Sequence, residues 1–231
     1  MLDLTPEMAD LWASLAVTPG RARVLQLVAA RRGEGTSTVA RELAFYAAQR
    51  MRTVWLVDLD LLASPQSAAI SAGSARYGDL GEPAAASPDG SIFFTVQPGA
   101  QTPDGRAWPD ANYLAAHRVG QHRWWVTRFR RELLRDRQRV HVIANPAYWN
   151  ALRAHADLVI VDAAAADRSQ ASLTLAPYMD ETVLVVAADE ADVQAPARLR
   201  DALTSAGGEV SGLFFNRQTV ERPGFLKRLL P

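Results

Sequence analysis

VLQLVAARRGEGTSTVARELAFYAAQRMRTVWLVDLD, residues Val24 to Asp60, reads as a buried strand, a glycine loop, a helix and a second strand that ends in carboxylates. Val24 to Val28 is a short apolar run suited to a strand covered on both faces, and the loop Arg31 to Thr38 follows it at once. Thr38 to Gln49 has the composition of a helix. Successive backbone N–H groups and the positive end of the helix dipole then point at one spot, which suits a phosphate group. Taken alone, such a loop is equally a tight strand-to-helix connection that binds nothing. Thr53 to Val57 is the second strand, and Asp58 and Asp60 stand on one side of its carboxyl end because strand side chains alternate with period two.

Outward from this stretch the pattern repeats. Pro6 to Val17 places Met8, Leu11, Trp12 and Leu15 at helical spacing, and Pro19 and Gly20 end that helix. Asp157 to Asp162 is an apolar strand closing on an aspartate, Thr182 to Ala187 another strand, Val193 to Ser205 a helix, and Gly212 to Asn216 the last strand. Val140 to Ala144 is a strand candidate, with a short helix from Pro146 to His155. Between about 70 and 122 the chain is rich in Gly, Pro, Ser and Ala, and reads as a loop-rich insertion around one short strand, Ile92 to Val96. Arg123 to Arg139 reads as a basic helix with Trp125, Phe129, Leu133 and Leu134 on one face, either solvated or docking a protein partner. Alternating strands and helices predict an α/β fold: a doubly wound, mostly parallel sheet in three α/β/α layers, formed by a single domain over residues 1–231.

Gly33, Glu34, Gly35, Ser37 and Thr38 resemble the phosphate loop of the bacterial tyrosine kinases of capsule and exopolysaccharide synthesis. Those kinases belong to the P-loop branch of the chromosome-partitioning and septum-positioning ATPases. The resemblance extends in element order over nearly the whole chain, through Val57 to Asp60, Val159 to Asp162 and Gly212 to Asn216. It implies that Arg32, Gly33, Glu34, Gly35, Thr36, Ser37 and Thr38 cradle the phosphates of ATP or ADP, and that Asn216 and Arg217 meet the adenine. It also implies that Ser37, Asp58, Asp60 and Asp162 hold Mg2+. By itself Asn216 is as readily a strand-end cap.

Four family features are missing together. The loop lysine that supplies fixed positive charge to the β- and γ-phosphates is Thr36 here, in a chain whose one lysine is Lys227. Arg31 or Arg32 folded back over the loop would replace part of that charge. The ring-forming glutamate and arginines of the first helix have no counterpart, since Glu7 is followed by Asp10 and Ala13. Asp162 is followed by Ala163 to Ala166 where the kinases carry two prolines, and the tail Glu221 to Pro231 holds no tyrosine.

Composition narrows the rest. At 231 residues, 48% hydrophobic and 22% charged, the chain can bury a full core, and 25 acidic against 25 basic residues leave no global field for nucleic acid. With no cysteine, a disulfide framework and thiolate metal sites are excluded. No signal-peptide pattern opens the sequence and no apolar run approaches a membrane span, so no direct membrane insertion is expected and the cytoplasm is the expected compartment. The resulting expectation is a non-catalytic or weakly catalytic accessory of polysaccharide export. Its partner would be a membrane co-polymerase or chain-length regulator, its state a monomer or homodimer, and its ATP or ADP and Mg2+ binding weak or lost. An active autokinase or ATPase, and a positioning ATPase of chromosome or cell pole, are the competing readings.

Overall fold

The computed structural model describes residues 4–15, 17, 20–189 and 192–217. In chain order the elements are α1 (Thr5–Ser14), β1 (Arg23–Val28), α2 (Thr36–Ala48), β2 (Val54–Asp58), α3 (Pro65–Ala72), the single turn α4 (Ser74–Tyr77), β3 (Leu80–Ala85) and β4 (Phe94–Gln97). There follow β5 (Leu114–Val119), β6 (Trp124–Phe129), β7 (Arg139–Val142), α5 (Pro146–His155), β8 (Leu158–Asp162), α6 (Ala171–Leu175), β9 (Glu181–Ala187), α7 (Gln194–Ser205) and β10 (Val210–Asn216). The tyrosine-free tail falls outside the described residues.

Eight strands form the main sheet in the order β10-β9-β1-β8-β2-β6-β5-β3. All pairings from β10 to β6 are parallel, while β5 and β3 continue the sheet antiparallel. The doubly wound expectation is therefore met, for the reason the sequence suggests: strands such as VLQLV and LVIVD are apolar at nearly every position because both faces of a parallel sheet are covered. One face carries α1, α2 and α3 through Met8, Leu11, Val39, Leu43 and Ile70. The other carries α5, α6 and α7 together with Phe93 and Phe94, which precede and open the small β4–β7 sheet. There Phe93 packs on Tyr148 and Trp149, with ring centroids 4.8 and 5.4 Å apart.

Three expectations are corrected. Arg123 to Arg139 is no helix: Trp124 to Phe129 is β6, paired parallel with β2 and antiparallel with β5, and the chain then turns into β7. Trp125, Phe129 and Leu133 do recur every four residues, but Trp124, Val126, Thr127 and Phe129 are strand formers that become buried together, and the open edge of β2 supplies the ladder that decides between the two patterns. The loop-rich insertion at 70–122 likewise contains β3 and β5, whose hydrogen bonds only exist across the sheet. Its Gly, Pro and Ala content conceals strands because at β3 the residues are exposed and carry no apolar alternation. The strand expected at Ile92 to Val96 begins later, at Phe94, and pairs with β7 rather than with the main sheet.

Trp124 is fully buried, its ring 5.7 Å from Phe45 and 5.8 Å from Tyr77 between centroids, and joins β6 to the α2 face. Its indole N–H has no hydrogen-bond partner among the described residues. Trp124→Ala should destabilise the protein by about 3–5 kcal/mol in urea unfolding, while Trp124→Phe, which surrenders no hydrogen bond, should cost less than half as much.

Candidate functional site

The chain leaves β1 at Val28 and enters α2 through two glycines in the left-handed region, Gly33 and Gly35, both at φ +92°. Only glycine suits Gly35 for a second reason: a Cβ there would lie 2.0 Å from Asn216 Nδ2. No side chain caps α2; the Thr38 N–H donates to the Gly35 carbonyl at 3.0 Å, and the N–H groups of Thr36 and Ser37 remain available to an anion. The loop is held from both sides. Glu34 turns its carboxylate inward, accepting the N–H groups of Arg31 at 2.8 Å and Ala187 at 3.3 Å. Asn216 Nδ2 donates to the carbonyl of Glu34 at 2.8 Å, and the Arg217 guanidinium donates to the carbonyl of Gly33 and faces Asp189 at 3.6 Å. Asn216 and Arg217 thus reach the loop from the end of β10, where they fasten its backbone.

Thr36 is the first residue of α2 and is buried. Its hydroxyl is too short and carries no charge to stand in for a lysine. Arg31 sends its guanidinium to the Asp192 carboxylate at 2.5 Å, while Arg32, the nearest cation in sequence, is exposed and its backbone N–H donates to Asp167 at 3.2 Å. Ser37 and Thr38 follow in the first turn, and Ser37 lies close enough to the sheet edge to lower the Asp162 carboxyl.

At that edge the register of β2 and β8 sets Asp58 directly beside Asp162. Both are almost wholly buried. Asp58 accepts the N–H groups of Asp60 and Gln66, each at 3.0 Å, one on either oxygen, and its own N–H donates to Thr127 Oγ1 at 2.9 Å. Asp162 Oδ2 accepts from Gln66 Nε2 at 2.6 Å, and Asp162 Oδ1 is buried with no partner among the described residues. Asp60, expected with them, lies in the loop after β2 and its carboxylate is 3.4 Å from the Arg168 guanidinium. Among the described residues no three acidic, histidine or cysteine side chains converge as a metal cluster. What does converge is two carboxylates and a hydroxyl, all hard oxygen donors, with one buried carboxylate oxygen still unsatisfied. That set suits Mg2+, which takes one or two carboxylates and keeps several waters.

Burial, and next the charge of Asp162, raises the Asp58 carboxyl well above the usual carboxylate range. Burial likewise pushes Asp162 up to about 6, against the lowering pull of Gln66, Ser37 and Arg41. Gln66 and Arg41 are the members that sequence reasoning missed. Gln66 is the second residue of α3 and fully buried, and Arg41 lies on the inner side of α2, 3.3 Å from Gln66 Oε1. The one sequence mark of Gln66 is its position straight after Pro65, where a helix opens a few residues beyond the aspartate strand.

The two raised carboxyls have a stability consequence of definite sign. A native pKa above the unfolded value of 3.8 makes the protonated pair's contribution complete below that value and lost as pH rises through about 6. In metal-free buffer the unfolding free energy should therefore fall between pH 5 and 7.5. Asp162→Asn should flatten that slope and, at pH 7.5, be the more stable protein by on the order of 1–3 kcal/mol, read by urea unfolding at both pH values.

No family model and no curated protein matches the chain. Solved structures do. The chimerical protein CapA2B2 superposes with a TM-score of 0.62 at 14% identity, over 92% of this chain and 84% of that one. The kinase domain of the Escherichia coli tyrosine kinase ETK gives a TM-score of 0.54 at 17% identity, covering 95% of this chain and 79% of its own. The septum site-determining protein MinD of Pyrococcus horikoshii, complexed with Mg-ADP, gives 0.54 at 14% identity over 90% and 77%. Identities this low speak of fold. Loop, aspartate pair, sheet order and these likenesses together give the chain the P-loop, ATPase-like fold of the bacterial tyrosine kinase domains.

Proposed function

We propose that this chain is a degenerate member of the P-loop kinase and ATPase fold that works by binding, with phosphoryl transfer negligible or absent. The observation that carries the reading is the uncharged, buried Thr36 at the place of the phosphate-loop lysine, with the guanidinium of neighbouring Arg31 engaged by Asp192. A phosphoryl group in transfer is stabilised by charge already in position, and removing one fixed donor costs roughly 3–4 kcal/mol, about a hundredfold or more in rate. The backbone donors of the loop do not depend on that side chain, so a loosely held phosphate is compatible with the loss of turnover.

Asp58, Asp162 and Ser37 would hold Mg2+, and Asp60 would join them only on leaving Arg168. Bound magnesium would draw charge from the phosphate oxygens. The residues present would then orient it: Ser37 from the first turn of α2, and the two aspartates from adjacent strands. Arg32, Gly33, Glu34, Gly35 and Thr38 complete the cradle, with Asn216 and Arg217 at its rim.

The fold likeness to a bacterial tyrosine kinase domain, together with the sequence resemblance to the kinases of capsule and exopolysaccharide synthesis, supports a setting in exopolysaccharide, capsule or holdfast synthesis. In that setting the protein sits in the cytoplasm against a membrane polysaccharide co-polymerase or chain-length regulator and assists synthesis and export. No helix among the described residues is long and apolar enough to cross a membrane, so attachment at the inner membrane would run through the partner.

Calorimetric titration with ATP and ADP in the presence of Mg2+, repeated on Thr36→Lys, tests the reading. Weak or undetectable binding by the unaltered protein, with at least a tenfold gain in the variant, is the expected result. Tight binding and steady hydrolysis by the unaltered protein would overturn it. Light scattering with and without Mg-ATP should find a monomer or a homodimer, because α1 lacks the arginines that close the kinase ring; a particle of eight subunits would contradict this.

A further inference from the structure

Gln66 sits where the cation of this site would have to act. Its Nε2 carries two hydrogens and both are committed: one to the carbonyl of Ser37 at 2.8 Å, the other to Asp162 Oδ2 at 2.6 Å. Its backbone N–H holds Asp58 Oδ2 at 3.0 Å, and Arg41 Nη1 holds its Oε1 at 3.3 Å. One buried residue therefore joins the phosphate-loop helix to both aspartates, at the beginning of α3.

The carboxamide donor occupies Asp162 Oδ2, an oxygen that a divalent ion would also claim. Two buried carboxylates side by side, as Asp58 and Asp162 are, demand compensation by either a cation or donated hydrogens. Here the carboxamide provides part of it and Asp162 Oδ1 is left over. The two solutions compete for Asp162 Oδ2.

We propose that Gln66 is the gate of the cation seat: its carboxamide bridges Ser37 and Asp162 in place of the ion, and a divalent cation enters only when that bridge opens. Arg41, through Oε1, holds the bridge closed, and Tyr77 steadies Arg41 from the other side at 3.3 Å. This rests on the assignment of Ser37, Asp58 and Asp162 to magnesium above. It adds a second reason, separate from Thr36, for weak nucleotide binding, since a nucleotide arriving with its ion must first displace the amide.

The test uses Mn2+ alone, without nucleotide, so that the state of Thr36 has no bearing on it. Free Mn2+ is followed by electron paramagnetic resonance during titration of the full chain. Gln66→Ala, and the similarly sized Gln66→Met, which has no hydrogen to donate, should each bind Mn2+ about tenfold tighter than the unaltered protein, the equivalent of one lost charge-assisted hydrogen bond. Adding Asp162→Asn to either variant should remove the gain. The Met variant keeps the test open if the Ala variant fails to fold. Binding by a folded variant that is equal to or weaker than that of the unaltered protein would overturn the proposal, and so would a gain that survives Asp162→Asn. Tight nucleotide binding by the unaltered protein in the absence of a divalent cation would instead strike only the degenerate-ATPase reading.

Discussion

Two carboxylates share one buried edge, and the rest of the site is arranged around that constraint. Parallel strands in register place Asp58 and Asp162 on neighbouring positions of β2 and β8, with helices over both faces of the sheet. Water is excluded and like charges are adjacent, so each carboxyl favours its neutral form unless donors or a cation intervene. The backbone of Asp60 and the backbone and side chain of Gln66 are all drawn to this pair. A fold used only as scaffold would have no need to keep two acids in that position.

The phosphate loop tells a different story from the same fold. Its backbone is intact: left-handed glycines, an uncapped helix start, and carbonyls fastened by Asn216 and Arg217. What the loop lacks is a lysine at position 36. Thr36 carries no charge, and the guanidiniums of Arg31 and Arg217 are paired with Asp192 and Asp189. On the function proposed above, geometry for holding a phosphate outlasts the electrostatics for transferring one. The separation is physically reasonable, because backbone donors recognise ground-state phosphate oxygens, whereas catalysis depends on interactions that strengthen as charge shifts in the transition state.

Much of this was legible before any coordinates. The run from Val24 to Asp60 carries its own evidence, since a glycine loop between a wholly apolar strand and a helix admits few structures, and the strand ends at Asp58 and Asp162 mark the sheet's carboxyl edge. The β5–β6 region was not legible, and neither was Gln66. In the segment Arg123 to Arg139 aromatic residues satisfy helical and strand spacing at once, and the choice was made by the unpaired edge of β2, a partner 69 residues away in the Asp58–Thr127 hydrogen bond. Gln66 looks like any polar residue at a helix start; only folding brings it against Ser37 from α2 and Asp162 from β8.

The sequence by itself determined the parallel α/β core, the position of the phosphate loop and the absence of its lysine, because these follow from local composition, period and chain order. Tertiary structure alone decided that Arg31 turns to Asp192, that Asp60 pairs with Arg168 while Asp58 and Asp162 remain together, and that a glutamine bridges Ser37 and Asp162. Those outcomes depend on which charges and hydrogens meet across separated elements once water is excluded, and no local pattern in the chain records such meetings.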